Sequence, residues 1–184
     1  IDPLYLSWTA KQSGFEPRFI ELAAHVNAAM PHVVVNKIAE ALNSHCKSLN
    51  GSNVLIAGIA YKRDIDDIRE SPALDVMNLL RDNGVRLSYS DPFVPRLSAG
   101  PWHGGFDLES QTLDSQTLGA VDCVAILTDH TVVDYAALVA TAPLIVDTRN
   151  AIMRLHAHVF RLGAPKPPAL PAHVEELATV SASV

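Results

Sequence analysis

The stretch that decides the fold is NVLIAGIAYKRDIDDIRESPALDVMNLL, residues 53–80. It begins with a short apolar run, 53–57, which is typical of a strand buried inside a parallel sheet. A polar loop follows. Ser71 and Pro72 are residue types preferred at the N-cap and the first position of a helix, so they predict a helix over ALDVMNLLRD. A buried strand, a loop and a helix form the first half of a βαβ unit.

The same alternation continues towards the C-terminus. VRLSYS (85–90), DCVAILT (122–128) and LIVDT (144–148) read as further strands, and VVDYAALVAT reads as a helix. A weak helix is predicted over 114–120, whereas 94–112 is predicted to be mostly loop with room for a short strand near 106–108. Apolar strands that alternate with helices indicate an α/β fold, a Rossmann-like parallel sheet with helices on both faces.

A long helical segment precedes this sheet. Apolar residues recur at helical spacing from Pro17 to about Cys46, and Pro31 is expected to kink the helix or to split it in two. Residues 1–15 are a short segment without a clear period. We therefore divide the chain into residues 1–48, a Rossmann-like domain over 49–163, and a Pro-rich tail over 164–184.

Composition excludes several classes of protein. The net charge is -6 and the Lys and Arg residues are scattered, which argues against a nucleic-acid partner. No apolar run reaches the roughly 18 residues of a membrane span. Two cysteines, Cys46 and Cys123, are too few for a disulfide framework, and neither lies in a zinc-binding pattern, so a reducing cytoplasm is expected. The chain begins at Ile1 as if it continued a longer polypeptide.

Polar side chains follow the strands where ligands bind to open parallel sheets. A dinucleotide fingerprint, GxGxxG, would need glycines at 58, 60 and 63, and the chain has Gly58, Ala60 and Arg63 there. A bulky cation in the third position argues against an NAD site in this domain. Lys62 is suited to a nucleotide phosphate, although Lys62 and Arg63 read equally well as solvated loop charges.

Arg149, after LIVDT, is suited to bidentate phosphate recognition or, equally, to an ion pair with Asp147 or another neighbour. Asp129 and His130 read better as a helix cap and a packed or exposed histidine than as an acid/base pair.

The remaining candidates favour structural interpretations. The carboxylates of 64–67 favour a solvated, self-paired loop over a metal site, because three basic residues share that loop, and no metal is predicted. Neither cysteine has the surroundings of a nucleophile.

The long loop and the helix that follows it carry a resemblance. GIAYKRDIDDIRESPALDVMNLL closely resembles the C-terminal domain signature of the UDP-glucose/GDP-mannose dehydrogenase family. Other pieces resemble that family in the same order, and together they cover about residues 1–153: IDPLYLSW, FIELAAHVNAAMP, SDPFVP, ILTDH and VDTRNAI.

The resemblance implies an activity for the longer enzyme. The family oxidises the C6 alcohol of a UDP-sugar twice, to a carboxylate, through a thiohemiacetal and a thioester on a cysteine, with NAD bound by an N-terminal domain. By the family's pattern that cysteine would lie two residues before Ile1. This chain is then the UDP-sugar-binding portion of an NAD-dependent UDP-sugar 6-dehydrogenase. Alone it is expected to bind UDP-sugar weakly or not at all and to be inactive, because catalysis needs both halves of the cleft.

The resemblance also implies roles for individual residues. Asp2 would help to polarise the water or the oxyanion intermediate. Tyr61 and Lys62 would contact the UDP-sugar, Arg149 the nucleotide, and Arg69 would reach across the cleft towards NAD. The helix over 17–46 would form a homodimer.

Two further readings stay open. The chain's opening IDPLYL and its DTRNA favour the branch that acts on UDP-N-acetylhexosamines, because the UDP-glucose branch more often has lysine where this chain has Ile1. The alternatives to a dehydrogenase portion are a stand-alone nucleotide-sugar-binding or dimerisation module, and an independent NAD-binding domain with a nonstandard loop.

Overall fold

The computed structural model describes residues 2–98, 100 and 105–167, and of Asp2 it describes only the backbone. The helices are α1 Asp2–Gln12, α2 Arg18–Asn43, α3 Pro72–Asp82, α4 Ser115–Gly119 and α5 Tyr135–Thr141. The strands are β1 Asn53–Ala57, β2 Arg86–Ser90, β3 Arg96–Ser98, β4 Asp107–Glu109, β5 Cys123–Ile126, β6 Ile145–Asp147 and β7 Val159–Arg161.

The main sheet has five parallel strands in the order β2-β1-β5-β6-β7. The chain moves outward from β1 to β2, and it then returns to the other side of β1 to build β5, β6 and β7. The connections therefore reverse direction between β1 and β5, which makes that crevice the topological switch point. The predicted α/β fold with a Rossmann-like parallel sheet is confirmed.

Helices cover both faces of this sheet, because successive strand residues point to opposite sides. Val54 and Ile56 of β1 belong to a core shared with α2 and α3. Leu55 and Ala57 belong to a second core shared with α4 and α5. Every one of these four side chains is buried, which explains why the strand is apolar throughout.

Helix α2 runs without a break from Arg18 to Asn43, with Pro31 inside it. Of the two alternatives expected at Pro31, a kink or a split, the split into two helices is therefore wrong. Proline removes one backbone donor and typically costs a helix interior about 3 kcal/mol. Packing offsets this cost, because α2 residues beyond Pro31 are buried in the sheet core, among them Val34 and Ile38. Among the described residues, no helix has both the length and the apolar character that a bilayer crossing requires.

Residues 2–12 lie in the segment that shows no clear period in the sequence, and they form α1. Leu4, Tyr5, Leu6 and Trp8 are all exposed, so no apolar period marks the helix in the sequence. Helix α1 is held to α2 by polar contacts: Ser7 Oγ donates to Glu21 at 3.3 Å, and Lys11 pairs with the same carboxylate. These contacts hold the pKa of Glu21 below its usual value, mainly through the bond from Lys11.

Two short elements were not predicted as strands. Strand β3 pairs with β4 in an antiparallel ribbon outside the main sheet, within the stretch expected to be mostly loop. Strand β7 adds a fifth member to the main sheet beside β6. The Pro-rich tail over 164–184 lies mostly outside the described residues, which end at 167.

Candidate functional site

A cleft of about 560 Å³ opens at the switch point, beyond the carboxyl ends of β1, β5 and β6. We call it the switch-point cleft. Its polar lining includes Tyr61, Lys62 and the carboxylate residue Glu70, from the loop after β1, and Arg149, from the loop after β6. Helix α2 supplies an apolar wall with Met30, Pro31 and Val34. The three residues predicted to contact the UDP-sugar therefore line one shared cleft.

The loop after β1 turns sharply at Gly58, and only glycine fits there. Gly58 has φ +81°, and a Cβ on it would lie 2.2 Å from the carbonyl oxygen of Thr128. Its N–H donates to Ser90 O at 2.8 Å. The backbone can therefore pass between the ends of β2 and β5 and return to the cleft at Tyr61.

The buried carboxylate of Asp91 fixes the base of this loop. Its Oδ2 accepts the N–H groups of Ile59 and Ala60, at 2.8 and 3.1 Å. Its Oδ1 accepts those of Phe93 and Val94, at 2.9 and 3.1 Å. A buried carboxylate is stable only with such donors, so Asp91 ties the β1 loop to the end of β2.

His130 is fully buried, and both of its ring nitrogens are bound within the protein. The N–H of Asp64 donates to its Nδ1 at 2.9 Å, so the ring proton lies on Nε2 and is donated to Asp91 Oδ2 at 3.1 Å. The packed histidine is confirmed, but helix α5 is capped by Asp134, whose carboxylate accepts from Ala136 and Ala137. Asp129 is not that cap.

Lys62 keeps its charge available to the cleft. Its Nζ lies 5.5 Å from the centroid of the Tyr61 ring, and it makes no ion pair with any carboxylate of the described residues. A cation over an aromatic face is held weakly, which leaves the ammonium able to meet an anion. Tyr61 is itself half exposed at the mouth of the cleft.

Arg149 is oriented by two carboxylates. Its backbone N–H donates to Asp147 Oδ1 at 2.9 Å, within a turn in which the buried Asp147 also accepts from Ala151 and Ile152. Its Nε donates to Asp129 Oδ1 at 3.3 Å. The ion pair expected as one alternative is present, with Asp129 as the side-chain partner, and Arg149 still lines the cleft.

The remaining loop charges are largely self-paired. Arg69 makes a bidentate pair with Asp67, and this bond holds the pKa of Asp67 at about 2. Asp64 accepts from the backbone N–H and the hydroxyl of Thr131, at 2.8 Å each, and the backbone bond is the main reason why its pKa is lowered. No three His, Cys, Asp or Glu side chains are grouped around a metal-sized space in the described part of the chain.

Arg69 is not placed in the cleft. The Arg69 side chain is 87% exposed and lies outside the lining, so its contact with NAD stays a prediction. The Asp2 side chain lies outside the described residues. Cys123 is buried, and burial raises the pKa of its thiol to about 12, as expected for an inert cysteine.

Sequence reasoning considered Asp129 but missed its role as the shared partner of two arginines. It accepts from Arg63 as well as from Arg149, and its own side chain is only 7% exposed. The signal was present, since an acidic residue follows a buried strand in ILTDH, but its two partners come from loops distant in sequence.

Chemically, the switch-point cleft suits a nucleotide. Lys62 and Arg149 are complementary to a pair of phosphates, and the α2 wall with Tyr61 is complementary to a base or a sugar.

Comparisons with known proteins agree with this chemistry. The sequence profile of the UDP-glucose/GDP-mannose dehydrogenase family, UDP binding domain, matches residues 55–154. The UDP-N-acetyl-D-mannosamine dehydrogenase of Methanococcus maripaludis is 31% identical over 132 residues, which cover 72% of this chain and 27% of that protein. The enzyme of the same name from Campylobacter jejuni is 33% identical over 131 residues, covering 71% of this chain and 30% of that protein.

A solved structure shows the same fold. The NDP-N-acetyl-D-galactosaminuronic acid dehydrogenase of Methanosarcina mazei Go1 superposes with a TM-score of 0.69 at 22% identity, over 90% of this chain and 37% of that one. The chain spans less than a third of the length of the two curated relatives.

Proposed function

Because the chain belongs to the UDP-glucose/GDP-mannose dehydrogenase family and carries its UDP binding domain, we propose that the switch-point cleft binds the UDP moiety of a UDP-sugar. The observation that supports this proposal best is the convergence of Lys62 and Arg149, from different strand ends, on one cleft. Arg149 provides planar, paired donors for phosphate oxygens, and Lys62 provides a mobile point charge.

The proposed reaction is the NAD-dependent oxidation of the sugar C6 alcohol to a carboxylate. NAD would be bound mainly by polypeptide outside this chain, with Arg69 as a contact from this side and Asp2 beside the reacting centre. The β1 loop supports this division, because Arg63 occupies the third glycine position of a dinucleotide fingerprint and its guanidinium is bound to Asp129. NAD oxidises the sugar when bound, and the residues of this chain bind and orient the substrate.

The named relatives favour an N-acetylated sugar. Two of them are named UDP-N-acetyl-D-mannosamine dehydrogenases. This agrees with IDPLYL and DTRNA, which favour the branch of the family that acts on UDP-N-acetylhexosamines. We propose a UDP-N-acetylhexosamine as the substrate. The free thiols of Cys46 and Cys123 fit a reducing cytoplasm, which is the proposed location.

We also propose a homodimer through α2, which lies within the predicted segment 17–46. Phe19, Leu22 and Val26 recur at helical spacing on α2 and are 89%, 59% and 50% exposed. A second α2 would remove this apolar stripe from water.

The test of the proposed function is a titration with UDP and, separately, with NAD. Ligand-observed NMR suits it, because it detects the weak binding expected of half a cleft. The chain should bind UDP more tightly than NAD. Arg149→Ala should weaken UDP binding about tenfold or more, the typical effect of losing a charge-assisted hydrogen bond. Lys62→Ala should weaken it by a similar factor.

The matched control is Arg96→Ala, which removes an arginine from an exposed ion pair with Asp107, on the β3–β4 ribbon. This variant should bind UDP like the parent chain. Tighter binding of NAD than of UDP, or UDP affinity that is unchanged by both Lys62→Ala and Arg149→Ala, would contradict the proposal.

A further inference from the structure

Four consecutive residues in the loop after β5, 128–131, all contact the loop after β1. Thr128 Oγ1 donates to Ala60 O at 2.7 Å. The Asp129 carboxylate accepts from Arg63, and the His130 imidazole accepts from the N–H of Asp64. Thr131 donates its backbone N–H and its hydroxyl to the Asp64 carboxylate. Residues 128–131 therefore hold the loop after β1, which carries Lys62, at several points between Ala60 and Asp64.

Asp129 is the member of this segment that also reaches the loop after β6. Its Oδ2 accepts from the guanidinium of Arg63, and its Oδ1 accepts from Nε of Arg149 at 3.3 Å. The carboxylate is almost completely enclosed, whereas the two arginine side chains are 56% and 51% exposed. Since half of each arginine side chain faces solvent, the Asp129 carboxylate is the contact that fixes the guanidinium groups of Arg63 and Arg149.

The contact with Asp129 uses only one of the three nitrogens of the Arg149 guanidinium. Both terminal nitrogens, with four N–H donors between them, have no side-chain or backbone acceptor among the described residues. Arg149 lines the switch-point cleft, whereas Asp129 does not. The Asp129 carboxylate therefore binds the Arg149 guanidinium through Nε and leaves the N–H groups of its two terminal nitrogens available to a ligand.

We propose that Asp129 is a positioning residue for the nucleotide diphosphate: it fixes the guanidinium of Arg149, with Arg63 balancing its charge, so that the terminal N–H groups meet the phosphates. The inference rests on the proposed function of the cleft. It assigns to ILTDH a role in binding that acts through Arg149, without contact between Asp129 and the ligand.

The sign of one mutational effect separates positioning from simple electrostatics. Removal of a negative charge beside the cleft favours binding of an anion by Coulomb's law. If Asp129 only offset the charge of the arginines, its neutralisation would therefore make UDP bind more tightly. Loss of positioning has the opposite effect, because Arg149 must then be ordered by the ligand itself.

The experiment measures UDP affinity for Asp129→Asn by ligand-observed NMR. We expect about tenfold weaker binding, although the site becomes more positive. Asp107→Asn is the control, because it removes the same charge from the partner of Arg96, outside the cleft, and it should leave UDP affinity unchanged. Equal or tighter UDP binding by Asp129→Asn overturns the inference.

A double variant tests whether the effect passes through Arg149. In an Arg149→Ala background, Asp129→Asn should cause no further loss of UDP affinity, since its target is gone. The same tenfold loss in that background would show a general structural effect and overturn the inference. Asp129→Glu, which keeps the carboxylate, should recover most of the affinity.

The outcomes distinguish this inference from the proposed function. If Arg149→Ala leaves UDP affinity unchanged, the proposed function fails. If UDP binding depends on Arg149 but not on Asp129, only the inference fails. Should Asp129→Asn not fold, the Nε–H resonance of Arg149 in the parent chain decides: a distinct, slowly exchanging signal supports the positioning, and a signal averaged with exposed arginines overturns it.

Discussion

At the scale of single residues, Gly58 is the position where substitution is expected to cost most. Gly58→Ala places a Cβ 2.2 Å from Thr128 O and forces alanine to φ +81°. We expect a loss of about 2–4 kcal/mol in the free energy of unfolding, from left-handed strain together with overpacking. Denaturant titration measures this free energy.

Gly119→Ala is the matched control, because no atom lies within 4 Å of its Cβ position and its φ is not positive, so the change in the free energy of unfolding should be small or stabilising. Equal stability of the two variants would contradict the tight crossing at Gly58.

Residues of the site were predictable where the fold alone brings them together. Lys62 and Arg149 each follow an apolar strand, and parallel strands place their carboxyl ends at one edge, so their convergence could be expected. Their partners could not be predicted. Asp129 binds Arg63 and Arg149 across loops that are remote in sequence, and side-chain pairing between such loops leaves no periodic signal.

At the scale of elements, Asp122 joins the beginnings of β1 and β5. Its Oδ2 accepts the N–H of Asn53 at 2.7 Å, and its Oδ1 pairs with Lys47, after the end of α2. The bond from Lys47 is the main reason why the pKa of Asp122 lies below its usual 3.8. A lowered folded-state pKa stabilises the fold above the unfolded pKa, and this stabilisation is lost as pH falls through the folded value.

Asp122→Asn should therefore lower the free energy of unfolding by about 1 kcal/mol near neutral pH. The difference from the parent chain should hold down to about pH 5 and should narrow below about pH 4. Denaturant titrations across this range measure it. Asp66→Asn serves as the control, since Asp66 is exposed and makes no hydrogen bond or ion pair with the described residues. A constant difference at every pH would exclude the carboxylate as the cause.

A helix or strand could be predicted where its own residues form a recognisable pattern of apolar and polar side chains. Strand β1 and helix α3 were predicted because a short apolar run and a capped amphipathic helix leave clear patterns. Helix α1 was missed because its large apolar residues are exposed. Strand β7 was missed because only two apolar residues, Val159 and Phe160, precede Arg161 and do not form an apolar run. The continuity of α2 through Pro31 depends on tertiary packing, which local propensity does not report.

At the scale of the whole molecule, the apolar stripe of α2 tests the proposed homodimer. Leu22→Glu places a charge in the centre of the stripe formed with Phe19 and Val26. A dimer held by this stripe should dissociate to monomer, because a buried unpaired carboxylate costs several kcal/mol. Light scattering coupled to size exclusion measures the mass.

The control for this prediction is Ala28→Glu on the same helix. Ala28 is exposed and lies about 120° around the helix from Leu22, so its charge should leave the dimer intact. A parent chain that is monomeric at high concentration, or a Leu22→Glu variant that keeps the mass of a dimer, would contradict the assignment of the interface to α2.

The most direct measurement of the central claim is a crystal structure of the chain with UDP. The account predicts that the diphosphate lies in the switch-point cleft, within hydrogen-bond distance of Lys62 Nζ and of the terminal nitrogens of Arg149, with Asp129 still bound to the Nε of that arginine. UDP bound elsewhere, for example in the separate hollow beside Tyr135 and Met153, with Lys62 and Arg149 untouched, would contradict it.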